Sequence, residues 1–117
     1  MKLGIDMGGM SIKMGLVNEE NKIIGRITIP TDLTVPYQTL VESMADAVRQ
    51  MLENAGMTLE QCGGIGIGSP GTIDAKQGVI LYSNNFGWEN VPIVEELKKH
   101  LDTRIEIAND ADAAALG

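Results

Sequence analysis

Apolar positions recur along this chain at two spacings, and the change from one to the other divides it near residue 36. Before that point the segments Lys2 to Asp6, Ser11 to Val17 and Lys22 to Pro30 are short and bounded by turn residues. In the second, Ile12, Met14 and Leu16 alternate with Ser11, Lys13 and Gly15, the period-two pattern of a strand with one buried face. The links are Gly8-Gly9 and Asn18-Glu19-Glu20-Asn21, short enough to make the three strands antiparallel neighbours.

From Pro36 the spacing becomes helical. Leu40, Val41, Met44, Ala45, Val48, Met51, Leu52 and Ala55 fall on one face, with Pro36 suited to the first turn and Gly56 to the C-terminal cap. Gly64-Ile65-Gly66-Ile67-Gly68 reads as a strand whose glycines open the backbone to close approach, and Ser69-Pro70-Gly71-Thr72 as a turn cluster. A loop carrying Asn84-Asn85-Phe86-Gly87-Trp88 leads to a second helix starting near Pro92, with Ile93, Val94, Leu97 and Leu101 inward and Lys98, Lys99 and His100 near its end. Arg104 to Ala108 is a further strand, after which Asn109 would cap a third helix, Asp110 to Leu116. Three antiparallel strands followed by helix, strand, helix, strand, helix predict an α/β domain. Its mixed five-stranded sheet would have the later strands parallel and helices packed across it.

Composition narrows the setting. The 117 residues make one domain over 1–117, and the net charge of -7, from 16 acidic and 9 basic residues, comes without a basic stripe. Neither nucleic acid nor an anionic membrane surface is an expected partner. Cys62 is the only cysteine, so no disulfide framework or multi-thiolate metal site can form within these residues, and a reducing compartment fits. Met1 leads directly into the first strand, and no stretch approaches the roughly 18 apolar residues of a membrane span. The expected localisation is cytoplasmic.

Four segments carry candidate chemistry. Asp6-Met7-Gly8-Gly9-Met10-Ser11-Ile12-Lys13 puts a carboxylate at a strand end and a double glycine at a hairpin tip. Bare amides there can approach a phosphate and the carboxylate can hold Mg2+ through water, although Gly-Gly in a hairpin is also an ordinary turn. It is neither a Walker loop nor a dinucleotide fingerprint, because the glycines lead into a strand. Gly66-Ile67-Gly68-Ser69-Pro70-Gly71-Thr72-Ile73-Asp74 delivers a glycine-rich bend at a strand C-terminus, where Ser69 and free amides could meet a hydroxylated substrate or form a tight turn, with Asp74 closing that turn. Asn109-Asp110 stands where a strand gives way to a helix; the helix dipole would keep Asp110 ionised as a proton acceptor, while both residues are also ordinary caps. Asn84, Asn85 and Trp88 are an amide and aromatic set of the kind that lines carbohydrate pockets, with a core plug as the default role of Trp88. Asp112, His100 and Cys62 read as a solvent-facing carboxylate, a helix-end dipole partner and a plain small residue.

In order and spacing these segments resemble the ROK sugar kinases, which include bacterial glucokinases, and the resemblance covers essentially the whole chain. Gly4 to Val17 looks like the family's phosphate-binding hairpin, Gly66 to Gly71 like its second glycine segment, Asn85 to Trp88 like its sugar-side loop, and Ile107 to Gly117 like its catalytic segment. The resemblance implies a ribonuclease-H-like lobe of the actin-like ATPase superfamily, the N-terminal lobe of two, and ATP-dependent phosphorylation of a hexose by the full-length protein. It makes Asp110 the base that orients and deprotonates the sugar hydroxyl, with Asn109, Ser69, Gly68 and Asn85 on the sugar side. Asp6, as the water-mediated Mg2+ ligand, and Gly8, Gly9, Ser11 and Lys13 stand on the MgATP side. Structural Zn2+ and most of the homodimer contact would belong to the second lobe, so the isolated chain is expected to be inactive. The family's repressors carry a DNA-binding segment ahead of this lobe, which sets them apart from a chain whose Met1 opens the first strand. A non-catalytic sugar-binding or regulatory protein of the same family is the alternative. Met10 stands where the family usually has threonine, so a thioether replaces a hydroxyl near the phosphates, and Ser11 offers the nearest substitute.

Overall fold

The computed structural model describes residues 1–109. In chain order the elements are β1 (Lys2–Met7), β2 (Ser11–Val17), β3 (Ile23–Pro30), α1 (Tyr37–Asn54), β4 (Ile65–Ser69), β5 (Thr72–Asp74), β6 (Val79–Ser83), β7 (Trp88–Val91), α2 (Ile93–Lys98) and β8 (Ile105–Asn109). The principal sheet has five strands in the order β3-β2-β1-β4-β8. β1, β4 and β8 pair in parallel, and β2 pairs antiparallel with both β1 and β3, as the strand and helix order predicts.

The alternation along each strand determines which face is covered. Leu3, Ile5 and Met7 of β1, Ile12, Met14 and Leu16 of β2, Ile65 and Ile67 of β4, and Ile105 and Ile107 of β8 are all buried. Met44, Val41 and Val48 of α1 are fully buried in the same cluster as these strands. Each such side chain contributes about 1.5–3 kcal/mol by leaving water. α1 ends as its sequence requires: Gly56 takes φ +69, and Met57 N–H donates to the Leu52 carbonyl (2.9 Å) while Gly56 N–H donates to that of Glu53 (3.0 Å), closing the orphan carbonyls of the last turn. The opposite face of the sheet is nearly bare in one row, where Gly4 lies between Gly15 and Gly66 in the register.

Two features differ from the sequence reading. Residues 72–91, read as turn and loop, form a second antiparallel sheet in the order β5-β6-β7. Its outer strands have three and four residues, too few for a period to show, and in β6 Leu81 and Tyr82 are both exposed, which breaks the alternation. α2 is shorter than expected; its helix proper stops at Lys98, and a single further turn, closed by Leu101 N–H on the Leu97 carbonyl (3.0 Å), carries the buried Leu101 into the core. Asp74 closes not the Ser69–Thr72 bend, as expected, but the turn that follows β5, accepting from Gln77 N–H at 3.2 Å. Cys62 is buried, and burial pushes its thiol pKa up, as suits an inert core residue. The helix read over Asp110 to Leu116 lies outside the described residues. Among the described residues no helix is long and apolar enough to cross a membrane.

Candidate functional site

Parallel strands deliver their C-terminal ends to one edge of a sheet, and loops at that edge are where open α/β sheets bind ligands. β1, β4 and β8 end together in this way. Asp6 faces the exposed side, flanked in the register by Lys13 on β2 and by Gly68 on β4, with Ala108 of β8 beyond. A carboxylate is thus set between a cation and a stretch of bare backbone.

One residue further along, Ser69 and Asn109 are register partners. Ser69 is fully buried and its hydroxyl donates to the Pro70 carbonyl at 3.2 Å. The Asn109 amide Nδ2 donates to the Gly71 carbonyl at 2.7 Å, which ties the end of β8 to the bend after β4. Gly71 has φ +104, and a Cβ there would lie 2.2 Å from the Tyr82 carbonyl oxygen and 3.1 Å from Ser83 Cβ. Only glycine fits between the bend and β6.

The hairpin tip between β1 and β2 completes the edge. Gly8 N–H donates to the Ser11 carbonyl at 2.9 Å. That amide is therefore already engaged, and of the two tip amides expected to face phosphate, Gly9 carries the expectation. A Cβ at Gly8 would come within 2.8 Å of the Ser11 carbonyl oxygen, whereas one at Gly9 would make ordinary contact with the Asn85 side chain, 3.7 Å from Nδ2. Asn85, from the loop between β6 and β7, thus stands directly against the hairpin tip. Trp88 anchors that loop: its ring packs on Phe86 (centroids 4.7 Å apart) and edge-on against Tyr37 at the start of α1 (6.3 Å), so it plugs the core beneath the amides.

The structure therefore brings together Asp6, Gly8, Gly9, Ser11, Lys13, Gly68, Ser69, Asn85 and Asn109 along one edge. Asp110 and Asp112 lie outside the described residues. Met10 is 90% exposed at the tip. His100 sits beyond α2, its carbonyl accepting from Arg49, and has no place at this edge.

Sequence reasoning missed two contributors. Thr31, just past β3, donates through its hydroxyl to the Gly8 carbonyl (2.7 Å) and through its amide to that of Met10 (3.1 Å). Asp32 beside it accepts from the amide and hydroxyl of Thr34, which holds its pKa below the usual carboxylate value and closes the turn that follows. The Thr31-Asp32-Leu33-Thr34 run was readable as an Asx turn, but not its reach to the hairpin. The second is Ser83, whose fully buried hydroxyl has no hydrogen-bond partner among the described residues. An unmade bond of this kind carries the desolvation penalty without the gain, so Ser83→Ala is expected to leave stability unchanged or raise it by about 1 kcal/mol in urea unfolding. A loss larger than about 1 kcal/mol would show that the hydroxyl is bonded in solution.

The described donor set suits a hydrated metal ion and not one ligated wholly by protein. Among the described residues no group of three or more His, Cys, Asp or Glu could hold an ion. A single exposed carboxylate suits hydrated Mg2+ carried by substrate phosphates, since that ion keeps several waters and needs only one or two protein oxygens.

The chain is similar to known proteins over nearly its whole length. The sequence model of the ROK family matches residues 2–117. The glucokinase of Thermotoga maritima is 34% identical over 116 residues, covering 98% of this chain and 35% of that protein. The xylose repressor of Caldicellulosiruptor bescii is 30% identical over 115 residues, covering 98% of this chain and 29% of that protein. Among solved structures, a ROK family glucokinase from Streptomyces griseus in complex with glucose and AMPPNP superposes with a TM-score of 0.83 at 28% identity, over 97% of this chain and 34% of that one. The chain thus spans about a third of the length of these relatives.

Proposed function

The chain belongs to the ROK family, and from that membership we propose that it is the N-terminal lobe of an ATP-dependent hexose kinase whose second lobe lies in the rest of a longer protein. One observation carries the reading: Asn85, on the sugar-side loop, abuts Gly9 at the tip of the phosphate-side hairpin. Donor and acceptor sites for phosphoryl transfer must meet within a few ångströms, and here the two candidate half-sites touch.

On the sugar side, Asn109 holds its amide plane fixed by the bond to Gly71 and meets a sugar hydroxyl, with Gly68 and Asn85 around it; Ser69, expected there too, is buried behind the edge with its hydroxyl on the Pro70 carbonyl and does not reach the sugar. Asp110, the next residue in the chain, accepts the proton of the attacking hydroxyl. On the nucleotide side, the Gly9 and Ser11 amides and the Lys13 ammonium face the phosphates. Asp6 would hold Mg2+ through water; when bound, that ion offsets the phosphate charge. Phosphoryl transfer passes through a loose transition state and asks chiefly for such positioning and charge compensation. Zn2+ and a homodimer contact are assigned to the second lobe.

The kinship with a xylose repressor keeps a non-catalytic, sugar-binding reading in view. Coupled measurement of ADP release from MgATP by the full reading frame, across a panel of hexoses and N-acylated amino sugars, separates the two. Sugar-stimulated release is expected with at least one of them; sugar binding without release from any would establish the repressor-like alternative.

A further inference from the structure

The Gly8–Gly9 peptide is the least self-determined unit of the hairpin tip. Both residues lack a Cβ, so the peptide plane between them can turn over at little conformational cost, and nothing in its own sequence decides which way its N–H faces. The structure supplies the deciding contact from a distant segment. Thr31 Oγ1 donates to the Gly8 carbonyl at 2.7 Å, and Thr31 N–H donates to the Met10 carbonyl at 3.1 Å. No peptide bond among the described residues is cis, and in a trans peptide the C=O and N–H point in opposite directions. Holding the Gly8 oxygen toward Thr31 therefore turns the Gly9 N–H away from it, and holding the Met10 oxygen does the same for the Ser11 N–H.

We propose that Thr31 is the positioning residue of the phosphate cradle, its hydroxyl fixing the Gly8–Gly9 peptide so that the Gly9 amide presents to the nucleotide phosphates. This rests on the kinase reading above. Thr31 touches no substrate itself; it acts through the tip. Its half-buried hydroxyl is the contact to test, because the backbone bond to Met10 survives any side-chain change. The chain has Met10 at the tip, 90% exposed and without a strong donor, so more of the cradle's hydrogen bonding falls on correctly turned amides.

The test uses the full reading frame with Thr31→Val, which keeps the shape and the β preference, and Thr31→Ser, which keeps the hydroxyl. Affinity for MgAMPPNP is measured by calorimetry, KM for MgATP and for the sugar by ADP release, and thermal unfolding checks the fold. Thr31→Val is expected to weaken nucleotide binding about tenfold, with sugar KM within about twofold of the parent and Thr31→Ser restored to within about twofold, as the loss of one hydrogen bond to an ordered carbonyl implies. Nucleotide affinity unchanged in Thr31→Val, no rescue by Thr31→Ser, or sugar and nucleotide affinity falling together would each overturn the assignment. If the parent protein binds no MgAMPPNP at all, the kinase reading itself fails and this assignment falls with it, an outcome distinct from an unaffected variant of a nucleotide-binding parent.

Discussion

Asp110→Asn is expected to lower kcat for sugar phosphorylation by about 10²- to 10⁴-fold while leaving sugar affinity within a few-fold, the usual range for removing a positioned general base. The substitution keeps size and hydrogen-bonding capacity and removes the charge and the proton acceptor. Its neighbour Asn109 ends β8 with its amide bonded to the Gly71 carbonyl, a contact that the substitution does not itself remove. A hydroxyl held in place by Asn109 beside Gly68 should still bind in the variant and fail to react. Because the loss lies in the chemical step, kcat and kcat/KM should fall together and KM should stay nearly level. Single-turnover ADP formation checks this directly; turnover within about tenfold of the parent would remove Asp110 from the role of base.

Much of this fold was legible because its strands and first helix are long and half-buried. Ile12, Met14 and Leu16 announce a strand, and the stripe from Leu40 to Leu52 announces a helix, since each element must bury one face against the other. The second sheet was not legible for the converse reason. Three- and four-residue strands show no period, and β6 exposes Leu81 and Tyr82 beside the buried Ile80. At the edge, the sequence pointed to segments that the structure gathers together, because glycines and amides cluster at strand ends. It could not reveal pairings across the sheet edge. That Asn109 bonds Gly71 and Thr31 bonds Gly8 are contacts across 38 and 23 residues, and no local pattern encodes them. Even the Gly8-Gly9 pair misleads in part, because neither residue has a positive φ. Gly8 is small to clear the Ser11 carbonyl, and its amide closes the hairpin.

Gly71→Ala should be the most damaging single-methyl change in the described part of the chain. The bend takes φ +104, where an L side chain is strained, and the added Cβ would sit 2.2 Å from the Tyr82 carbonyl oxygen and 3.0 Å from Ser83 Cα, both backbone atoms that cannot rotate aside. Strain of about 1–3 kcal/mol adds to a comparable overpacking cost, so a loss of about 2–4 kcal/mol is expected in urea unfolding at unchanged slope. Gly15→Ala, where a Cβ meets nothing within 4 Å, is the matched control and should shift stability by no more than about 0.5 kcal/mol. The consequence reaches the site because relief requires the bend to move off β6, and the carbonyl that holds the Asn109 amide moves with it. Residual folded protein should therefore bind sugar more weakly even where it binds nucleotide normally, since the hairpin tip is held from the other side by Thr31. Equal loss of both affinities would mean that the two halves of the edge are not independently braced, and full stability in Gly71→Ala would mean that the bend is not packed on β6 as described.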